Sequence, residues 1–242
     1  MAADTLELAP PVDRVVRVAV AADQSLVAES VRAALLNRGF DPVAIRWPSV
    51  DTSPQANGSF RRRRPRWSVG PPPDVAVLLC DLARLDQVQG AQALIETLDV
   101  PWLVLAGVPS GPAWGAVYER GATVVASAAT GLDMVCDLIL ELEGGHQAQA
   151  AGTRPELIRS WRAFARTRGE LSARLDTLTG REEEVLNQLH QGLGVRTIAE
   201  YGGVSEATVR SQVKAILRKL EVNSQIAAVA AYQMHYSSAA QQ

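Results

Sequence analysis

Thr179 and Glu182 stand three residues apart just ahead of an apolar series, Val185, Leu186 and Leu189. That is the pattern of a capping box opening an amphipathic helix at Gly180, and Gly192 is placed to stop it. A second short helix, about Val195 to Tyr201, offers Ile198 and Ala199 for burial. Gly202-Gly203 then supplies a tight turn, and Ser205 caps a third helix. Two helices joined by a glycine turn have the outline of a helix-turn-helix.

The third helix carries the chemistry. Val209, Val213, Ile216, Leu217 and Leu220 recur at helical spacing as one apolar stripe, which leaves Arg210, Ser211, Lys214 and Arg218 together on another face. Alone, this would read as the solvated side of an ordinary amphipathic helix. Behind two capped helices at this spacing it reads as a surface for guanine edges and phosphates, with Thr208 as a hydroxyl donor to a phosphate oxygen.

The run from Leu178 through Val185-Leu186, Gly192, Ile198-Ala199 and Ser205-Glu206-Ala207-Thr208-Val209-Arg210 to Ile216-Leu217-Arg218-Lys219-Leu220 resembles the DNA-binding domain of LuxR/NarL-type (FixJ-like) bacterial regulators. The resemblance implies that the third helix enters the major groove. By position, Arg210, Ser211 and Lys214 would face bases, with Thr208 and Lys219 nearer the backbone and Gln212 and Arg218 on the same DNA-binding helix. Three departures stand out. Val195-Arg196-Thr197 replaces the usual Asn-x-Glu. Gly202 stands where leucine is common, which implies weaker packing of the second helix, and Gln212 replaces a common histidine, which implies a different operator.

Charge agrees with this division of labour. Residues 151–242 hold 12 basic against 9 acidic side chains, net +3, whereas residues 1–150 hold 12 against 17, net −5. With 47% hydrophobic residues in a chain of 242, two domains with cores are expected. No apolar run is long enough for a membrane span and the N-terminus lacks an export signal, so a cytoplasmic location and no membrane partner are expected. Cys80 and Cys136 lie far apart in apolar segments and read as reduced core thiols, with no metal and no cofactor implied.

The N-terminal half alternates. Strands are expected at Val15–Ala21, Val43–Trp47, Val75–Cys80, Trp102–Ala106 and Thr123–Ala126, and helices at Gln24–Arg38, Leu85–Leu98, Pro112–Arg120 and Leu132–Glu143. Five such alternations predict a doubly wound parallel α/β sheet. Residues 1–13 read as a leader, and residues 48–73, rich in Pro and Ser and carrying Arg61–Arg66, as a disordered insertion replacing a helix. The expected organisation is therefore an α/β domain at 14–145, a linker with an amphipathic helix from Pro155 at 146–176, and an all-α domain at 177–242.

An α/β unit of this layout ahead of such a helix-turn-helix resembles the receiver domain of response regulators. A working receiver needs an acidic cluster for Mg²⁺ beside a phosphorylatable aspartate, plus a hydroxyl and a lysine. Here the acidic pair is Ala22-Asp23, Asp81 is the nearest acceptor, the hydroxyl position falls on Ala106, the lysine position on or near Ala128, and residues 1–150 contain no lysine. Asp23 and Asp81 thus read as a vestigial site in a pseudo-receiver.

The function expected is a sequence-specific transcription regulator that binds double-stranded operator DNA without phosphorylation. Its control would run through protein contact, oligomerisation or a ligand. An orthodox regulator phosphorylated on Asp81 is the alternative, and an interaction module that sequesters another regulator or polymerase is the alternative of another class. RNA polymerase is a further candidate partner. A homodimer is expected to close in part through a last helix at Ser224–Tyr236, whose Ile226, Ala227, Val229, Ala230 and Met234 form an apolar surface; the bland reading makes that stripe core. His146, His190 and His235 are scattered and no nucleophile elbow or phosphate loop is present, so no enzyme is expected.

Overall fold

The computed structural model describes residues 14–47, 71–145 and 153–236. The expected leader, the Arg61–Arg66 run with most of its insertion, and residues 146–152 of the linker lie outside the described residues. The chain divides into two compact units, Met1–Trp161 and Arg162–Gln242.

The first unit runs β1 (Arg17–Ala22), α1 (Ser25–Asn37), β2 (Asp41–Ala44), β3 (Val75–Cys80), α2 (Leu85–Ile95), β4 (Trp102–Ala106), α3 (Pro112–Glu119), β5 (Val124–Ser127), α4 (Leu132–Glu143). Its strands are all parallel in the order β2-β1-β3-β4-β5. This is the doubly wound order of flavodoxin-like folds. Alternation along each strand feeds two cores. Val18, Val20, Val75, Val77, Leu103 and Leu105 point to α1 and α4, where they meet Leu35, Val135 and Ile139. Ala19, Ala21, Ala76, Leu78 and Val104 point the other way, to Val88 and Ile95 of α2 and Val117 and Tyr118 of α3. Burial on both faces is why these strands read as continuous apolar runs.

The second strand differs from expectation, Asp41–Ala44 in place of Val43–Trp47. Pairing with β1 begins at Arg17↔Asp41 and reaches Val20↔Ala44, so the neighbour's register sets its start. Pro42 is tolerated because β2 is an edge strand. Trp47 leaves the sheet, and its indole Nε1 donates to Gly90 O at 3.2 Å.

The next helix is α5 (Arg154–Leu175), within which the division between units falls. In the first unit Leu157, Ile158 and the buried Trp161 join the α2–α3 core. Arg154 lies 5.2 Å from the Tyr118 ring centroid and donates to the Tyr118 carbonyl at 3.3 Å. Gly115 is required here, because any Cβ at 115 would collide with the Leu157 carbonyl. In the second unit Leu171 and Leu175 join a core with α6 (Gly180–His190), α7 (Val195–Gly202), α8 (Glu206–Leu220) and α9 (Gln225–Tyr236).

Candidate nucleic-acid interface

The three helices of the motif are positioned by their ends. Thr179 N donates to Glu182 Oε2 at 2.7 Å while Glu182 N donates to Thr179 Oγ1 at 3.3 Å, a closed capping box. Ser205 Oγ accepts from Thr208 N at 3.1 Å at the start of α8. Each such cap stabilises its helix by about 1 kcal/mol. Gly203 ends α7 in the left-handed region at φ 61°, which glycine adopts without strain. Gly202 has a different role: a Cβ there would strike the Arg181 guanidinium, so Arg181 fills the space expected of a leucine.

With Val209, Ile216 and Leu220 fully buried, α8 turns Arg210, Ser211, Lys214 and Arg218 into solvent. These are the residues the sequence grouped. Their electrostatic states differ. Arg210 Nη2 lies 3.0 Å from Glu206 Oε2. Elsewhere on α6–α9 Arg181 pairs with Glu184, Arg196 with Glu200 and Lys219 with Glu182. Among the described residues of these helices, Lys214 and Arg218 are the lysine and arginine with no carboxylate partner, and they stand one turn apart.

Three other residues expected at the DNA have surroundings within the domain itself. Thr208 Oγ1 lies 2.9 Å from Ser205 Oγ, inside the cap. The Gln212 side-chain oxygen is enclosed and makes no hydrogen bond, off the exposed face. Lys219, expected near the DNA backbone, donates to Glu182 Oε2 at 2.6 Å and to the Thr177 carbonyl at 3.0 Å. Its ammonium closes the capping box from the far end of α8. Burial pushes the Glu182 carboxyl up, but the hydrogen bonds from Lys219 and Thr179 outweigh it and hold the group below its ordinary range.

On α9 the expected apolar surface splits in two. Val229 packs against the domain core, beside the buried Ala228 and Tyr232. Ile226, Ala230 and Met234, spaced by four, face solvent, with Ile226 83% exposed.

In the first unit the C-terminal edge of the sheet brings the acidic pair together. Asp81 N donates to Asp23 Oδ2 at 3.3 Å. Asp81 leans on Gly107, where a Cβ would meet its Oδ1 at 2.5 Å. Around them stand Ala22 and Ala106, both buried, and Ala128, whose N–H donates to the Ala106 carbonyl at 2.8 Å. The Cys80 thiol is pushed up to about 12, chiefly by burial and then by the charges of Asp23 and Asp81. Both cysteines are buried and free. Among the described residues no group of three or more His, Cys, Asp or Glu is placed to hold a metal ion, and no helix is long and apolar enough to cross a membrane.

Fold and site together define a class: a five-stranded parallel α/β domain followed by a helix-turn-helix domain. Residues 176–232 match the family model described as bacterial regulatory proteins, luxR family, so the helical domain is similar to that family. Over 51 residues the chain is 47% identical to the nitrate/nitrite response regulator protein NarP of Escherichia coli, 21% of this chain and 24% of that protein. The chain thus spans about a quarter of the length of the nitrate/nitrite regulators it matches. A longer similarity, 25% identity over 169 residues, links it to the transcriptional regulatory protein LnrK of Bacillus subtilis, covering 68% of this chain and 76% of that one. Among solved structures it is similar to the response regulator ChrA of a heme-sensing two-component system, with 23% identity, a TM-score of 0.39, and coverage of 90% of this chain and 96% of that one.

Proposed function

We propose that the chain is a sequence-specific DNA-binding transcription regulator of the LuxR/NarL type. One observation carries this reading: in a domain that matches the luxR family model, Lys214 and Arg218 project from the exposed face of α8 with no carboxylate partner among the described residues. Unpaired cations one turn apart on a helix suited to the major groove attract phosphates at long range and reach base edges at short range. DNA fragments recovered from genomic digests with the purified chain should share a sequence, and binding to them should fall with salt. Recovery of unrelated fragments with salt-insensitive binding would sink the proposal and favour an interaction module.

The α/β domain is read as a pseudo-receiver that works without phosphorylation. Asp23 and Asp81 give two carboxylates, but Ala22, Ala106 and Ala128 occupy the places of the second acid, the hydroxyl and the lysine. The residues present therefore do not fit a Mg²⁺-dependent phosphoryl site. Control would pass through protein contact, oligomerisation or a ligand. Dimerisation through Ile226, Ala230 and Met234 of α9 is part of the same proposal, since paired half-sites raise affinity and specificity together.

A further inference from the structure

Glu206 is the one carboxylate on the face that α8 turns outward, four residues before Arg210 and about two turns before Lys214, which has no carboxylate partner among the described residues. A negative charge on a surface meant for phosphates costs affinity unless something holds it. Here two things do: the N-terminus of α8, whose dipole favours an anion, and the Arg210 guanidinium at 3.0 Å. The arginine is 71% exposed and the glutamate 46%. An i,i+4 pair this wet shifts an equilibrium by only about twofold. It is strong enough to bias Arg210 away from a phosphate and weak enough to exchange.

We propose that Glu206 is a specificity-determining residue, acting through Arg210. On arbitrary DNA the carboxylate keeps the guanidinium, and the sequence-independent attraction is left to Lys214 and Arg218. Where the groove presents a cytosine amino group, that donor replaces Arg210 on Glu206, because a carboxylate accepts from cytosine N4. Arg210 is then released to the neighbouring phosphate or guanine. Glu206 thereby lowers affinity for wrong sequences more than for the right one. This inference rests on the DNA-binding reading above.

The test is a double-mutant cycle on the full chain with Glu206→Gln, Arg210→Ala and both, titrated against a duplex of arbitrary sequence and a duplex enriched by the wild-type chain from a random pool. Glu206→Gln should tighten the arbitrary duplex about twofold and steepen its salt slope by about 0.9, as expected for one added phosphate contact. It should weaken the enriched duplex, so that discrimination narrows. In the Arg210→Ala background the gain on the arbitrary duplex should vanish. A gain that persists there would show simple repulsion between Glu206 and phosphates and overturn the proposal, as would equal tightening of both duplexes or no change on either. If the wild-type chain itself shows no salt-dependent binding, the DNA-binding reading fails and this one falls with it.

Discussion

The ammonium of Lys219, near the end of α8, lies 2.6 Å from Glu182 Oε2 in the first turn of α6, 37 positions earlier. The pair ties the capping box to α8, and Glu182 is almost wholly buried. Lys219→Met should therefore destabilise the helical unit by about 1–3 kcal/mol, the cost of leaving a buried acceptor short of its donor. All five tryptophans precede Arg162, so the loss should appear in helical circular dichroism during urea unfolding and leave the tryptophan transition in place. Coincident shifts of both signals would contradict it. The pH dependence has a definite sign. A carboxyl held below its ordinary value of 4.5 stabilises fully above that value and less as the pH falls through the folded one, so wild type and variant should converge in acid.

Gly115→Ala puts a methyl where the Leu157 carbonyl lies. The first turns of α5 should lift from α3, exposing Trp161, with a red-shifted tryptophan emission and faster proteolysis after Arg154. Destabilisation of about 1–3 kcal/mol is expected, as for overpacked cores. Unchanged emission would mean that α3 yields instead.

A small phosphodonor with Mg²⁺ should neither label the chain nor change its affinity for DNA, and Asp81→Asn should be nearly silent. Labelling that disappears in Asp81→Asn would instead establish Asp81 as a phosphorylation site beside Asp23.

Ala230→Glu should abolish cooperative occupancy of a two-half-site duplex while the helical circular dichroism stays unchanged, since residue 230 faces solvent. Val229→Glu should unfold the domain, because Val229 packs on its core. Cooperative binding that survives Ala230→Glu would place dimerisation elsewhere.

These cases show what the sequence made legible and what it hid. Strands Val75–Cys80 and Trp102–Ala106 and helix Leu132–Glu143 match their expected bounds because a two-sided core writes them as continuous or periodic apolar runs. The caps at Thr179 and Ser205 were legible because their partners are three residues away. The second strand shifted because its register belongs to β1, and Trp47 was drawn off by Gly90, 43 residues on. Lys219 looked like any basic residue of α8 until Glu182 came within reach, and Val229 and Ala230 were grouped because a stripe of small apolar residues does not say which edge is core. The pairing of Arg210 with Glu206 had a local signal, the i,i+4 spacing, which sorting the helix by charge alone passes over.

On the proposed reading DNA recognition turns on Lys214, and the decisive measurement is a fluorescence anisotropy titration of wild type and Lys214→Ala against a recovered genomic fragment and an arbitrary duplex over a range of salt. Log affinity of the wild type should fall linearly with log salt. Lys214→Ala should cost about 1–3 kcal/mol on the recovered fragment and relax preference at one base position, with a smaller loss on the arbitrary duplex. Equal losses on both duplexes, or wild-type binding indifferent to salt, would contradict base recognition by this helix.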